Sequence, residues 1–227
     1  GDQILNIVLT EALSSRSYAY EINTDRYMDN HVQPGGKFSV NGTQGGLNYL
    51  LSAEAEPRHD YRPSRESSIL CDFTPNDRIV EERTRDQYTY TYAANLAYDI
   101  NADSSARLNM LYSDFDNTLE VDRSITDLTV NPPQTNLQRE ETPGENNNWE
   151  IGGDYELRLA NDHRFKILFI TNQRNEFSER ERFQVAADGS EQKDLYVSSD
   201  STLEEKIVRT SYSLGVAETQ DVEFGVE

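Results

Sequence analysis

The chain has 227 residues, 41 Asp and Glu against 21 Lys and Arg, and a net charge of -20. That balance argues against a broad basic face for nucleic acid and against docking on an anionic lipid surface. The hydrophobic fraction of 35% lies below the roughly 45–50% of compact soluble domains. With 13 Tyr and 8 Phe, most at alternating positions, the chain is nevertheless too aromatic for a solvated tail.

Gly1 to Thr10 opens with a compact apolar segment, Ile4, Leu5, Ile7, Val8 and Leu9. Residues Ser17 to Tyr27 then alternate, with Tyr18, Tyr20 and Ile22 on one face and Ala19, Glu21 and Asn23 on the other. A loop through Pro34-Gly35-Gly36 leads to a short strand, Lys37–Asn41, a tight turn over Asn41–Gly45, and a strand Leu47–Glu56. A polar loop is expected over Pro57–Asp77.

Arg78–Ile100 carries the strongest strand signal. Tyr88, Tyr90, Tyr92, Ala94, Leu96 and Tyr98 share one face, and Thr89, Thr91, Ala93, Asn95, Ala97 and Asp99 the other. After a turn at Asn101–Ser105, Leu108, Met110 and Tyr112 oppose Arg107, Asn109 and Ser113. A long loop is expected over Ser124–Asn146. Trp149, Ile151, Gly153, Tyr155, Leu157 and Leu159 form the next face, followed by a turn at Asn161–His163. Phe165–Phe183 follows; its start is apolar on both faces except at Lys166, so the pattern leaves its facing open. A loop Gln184–Asp200, a face of Val208, Tyr212, Leu214 and Val216, a turn at Thr219–Asp221 and a strand from Val222 complete the chain.

The four tight turns lie roughly 60 residues apart, with longer polar segments between them. This predicts an all-β fold of about nine antiparallel strands, an up-and-down transmembrane β-barrel wall. Such strands overrun the roughly 10 residues needed to cross a bilayer and project beyond it, where both faces turn polar. Tyr98, Tyr155 and Phe165 lie near the tight turns, as in an interfacial girdle. Nine strands alone leave open edges in lipid, so the chain is expected to be an excerpt of a larger barrel. No run of about 18 apolar residues offers a transmembrane helix.

The opening Gln3-Ile4-Leu5-Asn6-Ile7-Val8-Leu9 resembles the end of the plug domain of TonB-dependent outer-membrane receptors, at Asn6-Ile7-Val8. Thr10 and Glu11 stand where a basic residue is more usual. As sequence the resemblance covers about the first 10 residues; as architecture it covers the chain. It implies residues 1–11 as the end of a plug and 12–227 as the N-terminal part of a barrel that in this family has about 22 strands. It further implies a bacterial outer-membrane location, a TonB-type energy-coupling partner and import of a scarce nutrient such as a ferric siderophore. A passive porin or structural barrel fits the hairpin pattern equally well. A soluble acidic β-sandwich that binds carbohydrate is a third reading.

Few motifs point to chemistry, and an enzyme is not expected. There is no GxSxG, P-loop or GxGxxG, and no cofactor-binding motif. Asp99–Ser104 resembles half a calcium loop, but Ser104 and Met110 stand at the positions that need Gly and Glu, so a hairpin turn is expected. His31, His59 and His163 fall in separate predicted loops with no paired spacing, and Cys71 is alone. Arg58, Tyr61, Arg62 and Arg65 stand out against the acidic background as a candidate ligand-binding cluster for an anionic or phenolic nutrient. Arg174, Arg180 and Arg182 alternate with Glu176, Glu179 and Glu181, as in a salt-bridged strand extension.

Overall fold

A computed structural model describes residues 14–160, 163–217 and 220–227. The plug-like opening, and parts of the turns expected at Asn161–His163 and Thr219–Asp221, lie outside the described residues. The rest forms one antiparallel sheet of nine strands, each paired with its neighbours in chain order. They are β1 (Ser15–Arg26), β2 (Val32–Gln44), β3 (Leu47–Ile69), β4 (Pro75–Asn101), β5 (Ser104–Asp127), β6 (Gln134–Arg158), β7 (Arg164–Val185), β8 (Glu191–Ala217) and β9 (Gln220–Val226). The up-and-down order and the strand number agree with the alternation in the sequence. The sheet is not closed: β1 and β9 are its edges.

The segments expected as long polar loops are strands. Strands β3 to β8 run 22 to 27 residues each. The Pro57–Asp77 region is mostly β3 and β4, joined by residues 70–74 alone, and the Ser124–Asn146 region is mostly β5 and β6. Most of Gln184–Asp200 likewise belongs to β7 and β8. The apolar half of the period-2 signal disappears there, but the ladder of hydrogen bonds does not.

Prolines are accommodated where the ladder is incomplete. Pro57 and Pro63 lie in the part of β3 that pairs with β4 only, since β2 joins β3 no further than Gly36 opposite Ala55. Pro34 sits where β2 pairs with β1 alone, so the expected Pro34–Gly36 loop is strand. Pairing of β6 with β7 skips Pro143, resuming at Gly144 opposite Ser178.

All four reversals at the polar end share one device. Asp29, Asp72, Asp127 and Asp188 each accept, on Oδ1, the backbone N–H two residues on, from His31, Thr74, Thr129 and Ser190. At the other end β2 continues through Asn41–Gln44, leaving Gly45-Gly46 as the turn, with Gly45 at φ 61°. The Asn101–Ser105 segment is a hairpin turn as expected, closed by Asn101 Oδ1 accepting from Asp103 N at 2.9 Å.

Candidate functional site

Residues directly opposite in an antiparallel ladder point to the same side, so the registers sort the side chains into two faces. One face is apolar near the tight turns. It presents Tyr18, Tyr20 and Ile22 of β1, which register with Val40, Phe38 and Gly36 of β2. It continues through Leu51 and Ala53 of β3 onto Ala94 and Tyr92 of β4. It then crosses Met110 and Tyr112 of β5, Ile151 and Trp149 of β6, and Phe165, Ile167 and Phe169 of β7. Val208 and Tyr212 of β8 and Phe224 of β9 extend it. The register settles the facing of β7: Lys166, Leu168 and Ile170 point to the opposite side.

This belt is open rather than covered. Tyr20 is 81% exposed and Ile22 82%, while Tyr92, Met110, Phe169, Val208 and Phe224 are all exposed. Among the described residues Val121 and Pro57 are the buried apolar side chains. A nine-stranded sheet has therefore formed with almost no core of its own. Aromatic rows border the belt. Tyr98 and Tyr155 lie toward the tight turns, and Tyr92, Tyr112 and Trp149 lie in register farther up, with the first two rings 6.3 Å apart. Tyr98 and Tyr92 are six residues apart on β4, which spans about 20 Å along the strand. Phe169 covers Gly153, where an added Cβ would come within 2.8 Å of the ring.

The opposite face is mostly polar at the same height. Lys37 meets Glu54 at 2.8 Å and Lys166 meets Asp154 at 3.8 Å. Toward the other end both faces become charged. Arg123 grips Glu81 at 2.6 Å, Arg180 donates twice to the nearly buried Glu140 at 2.8 Å, and Arg182 meets Asp194 at 3.0 Å. Hydrogen bonding to these acids raises the guanidinium pKa of Arg180 and Arg182. Lys193 pairs with Glu181, and Arg174 with Glu176. The salt-bridged extension expected for Arg174–Arg182 is present, and two of its arginines reach acids on neighbouring strands.

Arg58, Tyr61, Arg62 and Arg65 lie on β3, not in a loop. The alternation divides them, with Arg58 and Arg62 on the polar face and Tyr61 and Arg65 on the other. Arg62 pairs with Asp60 at 2.8 Å. The four therefore do not converge as one binding surface on this sheet.

A different cluster does converge. His59 on β3 is opposite Asp86 on β4, and the tip of the β1–β2 hairpin folds against both. The His59 side chain is 2% exposed, with Nδ1 2.6 Å from Asp86 Oδ1 and Nε2 2.6 Å from Asp29 Oδ2. His31 stacks on it, with ring centroids 4.3 Å apart, and Tyr27 approaches to 5.0 Å. Gln33 donates to Asp86 Oδ1 at 3.1 Å. Burial opposes a charge on His59, but the hydrogen bonds to Asp86 and Asp29 outweigh it and raise its pKa. Partial desolvation of Asp29 is likewise overcome by hydrogen bonds from His31 and His59, which lower its pKa.

The expectation of separate loop histidines is corrected for His31 and His59. Treating Pro57–Asp77 as a loop concealed the register that sets His59 opposite Asp86. His163 lies at the opposite end, its Nδ1 2.6 Å from the Tyr212 hydroxyl. The chain matches no protein-family model and no curated protein.

Proposed function

We propose that this sheet is part of the wall of a bacterial outer-membrane β-barrel, with its apolar face toward lipid and its polar face toward the lumen. The observation that carries the reading is the exposed, continuous apolar belt on one face of a sheet with almost no core of its own. In water such a surface is costly, at roughly 25 cal/mol for each Å² of apolar area left exposed. Lipid would cover it, and the roughly 20 Å along the strand between the aromatic rows, about 15 Å of height at a tilt of about 35–45°, fits within the roughly 25 Å apolar band of such barrels. Open edges at β1 and β9 require further strands in a hydrocarbon setting, in keeping with a larger barrel of about 22 strands.

Within that class we favour a TonB-dependent receptor importing a scarce nutrient such as a ferric siderophore or a similar chelate. Support comes from the plug-like Asn6-Ile7-Val8 and from strands β3–β8, which continue well beyond the belt as a charged rim. A passive barrel is the alternative, and covalent catalysis has no part in either reading.

Trp149 is the sole tryptophan and stands in the belt's upper aromatic row, so brominated lipids test membrane contact directly. Strong quenching of its fluorescence in bilayers is expected, and none would exclude a lipid-facing belt. For transport, uptake of ferric siderophores should collapse in cells without the energy-coupling protein. Uptake that persists there identifies the passive barrel instead.

A further inference from the structure

We infer that His31, His59 and Asp86 form a site for a divalent transition metal, which latches the tip of the β1–β2 hairpin onto the β3–β4 ladder. Each of the three offers one ligand atom, and these atoms lie within 4.8 Å of one another. They come from three parts of the chain, a turn and two strands, that only the fold brings together.

The distances suit an ion. Zinc bonds imidazole nitrogen and carboxylate oxygen at about 2.0–2.2 Å, which puts tetrahedral ligand atoms roughly 3.3–3.5 Å apart. His31 Nε2 and Asp86 Oδ1 are 3.7 Å apart, close to that span. His59 Nδ1 and Asp86 Oδ1, at 2.6 Å, now form a hydrogen bond and must open by less than about 1 Å. His31, in the exposed tip, turns out of its ring stack so that its in-plane lone pair meets the ion.

Beyond the ligands the support is already in place. A metal-bound imidazole ordinarily passes its other N–H to a carboxylate, which fixes the ring and strengthens the ligand. Asp29 Oδ2 occupies that position on His59 Nε2 at 2.6 Å. Asp29 Oδ1 is itself held by the backbone N–H of His31 at 3.1 Å. Gln33 donates to Asp86, and its buried Oε1 has no partner, leaving an acceptor beside the site for a water on the ion. Two imidazoles and one carboxylate select zinc, nickel, cobalt or copper over magnesium and calcium, which prefer oxygen alone. The site stands well above the apolar belt, on the same face, and joins the short first hairpin to strands that β2 no longer reaches.

The test is a calorimetric titration of the full-length protein in detergent micelles with zinc chloride, repeated with cobalt(II) to read coordination from its visible spectrum. All proteins carry Cys71→Ser, because the exposed thiol is a rival ligand. One equivalent of zinc is expected, bound by nitrogen and oxygen ligands. His31→Ala, in an exposed turn that tolerates it, should weaken binding about 100-fold or more, and Asp29→Asn about 10- to 100-fold. His163→Ala, at the far end of the sheet, should leave affinity unchanged. Amide exchange across Tyr27–Gln33 should slow when zinc is added. The proposal is overturned if no saturable one-equivalent site exists, or if His31→Ala binds zinc as tightly as the parent.

Discussion

The two halves of this sheet use the same backbone ladder and opposite surface chemistry. Near the tight turns, one face is an open belt of Tyr, Phe, Leu, Ile and Val, and the other is mostly polar. Toward the Asp-closed turns both faces carry charge, and cross-strand contacts such as Arg123–Glu81 and Arg180–Glu140 replace apolar ones. Strand formation therefore does not require an apolar face here. Antiparallel registers carry through both halves with only local irregularities, because each strand supplies its neighbour with hydrogen-bond partners whatever its side chains are. On the proposed reading, the surrounding medium, rather than the backbone, accounts for the difference in composition.

Substitutions that exchange the two chemistries should separate the halves. The largest effect is expected for Met110→Arg, in the middle of the belt, which should cost about 2–4 kcal/mol on folding into bilayers. Asn109→Arg, the neighbouring position on the polar face, should cost far less, and equal losses at the two sites would mean the belt does not face lipid. Denaturant titration in vesicles makes the comparison. In the charged half, Glu140→Ala removes both hydrogen bonds made by the half-exposed Arg180 guanidinium and should cost about 1–1.5 kcal/mol by the same assay. Unlike the Met110 loss, this one should persist in detergent.

Smaller still, Gly45→Ala puts a Cβ at φ 61° and should cost about 1 kcal/mol. Gly189→Ala, at φ 82° in the charged half, should cost a similar amount, since neither turn depends on the medium. The mildest effect concerns pH. Hydrogen bonds from Thr74, Thr129 and Ser190 lower the pKa of Asp72, Asp127 and Asp188 below the ordinary carboxylate range. A carboxyl whose folded pKa is depressed adds stability above its unfolded pKa and loses it as pH falls through the folded value. Amide exchange at those three turns should therefore quicken below about pH 4, while the Gly45 turn stays unchanged.

Much of this architecture was open to reading from the residues, and its failures have a physical pattern. The alternation of Tyr88 through Tyr98 placed a strand and its apolar face, since aromatic spacing of two is hard to reconcile with any other element. Pro57–Ile69 defeated the same logic: with both faces polar, period two leaves no trace in hydropathy, and proline on a half-paired strand looks like a loop. The Arg58–Arg65 residues divide between the two faces for a related reason, because a strand sends neighbouring residues to opposite sides.

By itself, then, the sequence determined the all-β class, the strand number, the place of the tight turns and the belt, because these follow from local periodicity and turn chemistry. The tertiary structure alone decided the register of the charged half and the meeting of His31, His59, Asp86 and Asp29. That meeting depends on hydrogen-bond pairing between residues distant in sequence, and on a hairpin tip folding over a neighbouring ladder. No local pattern of residues encodes either distance.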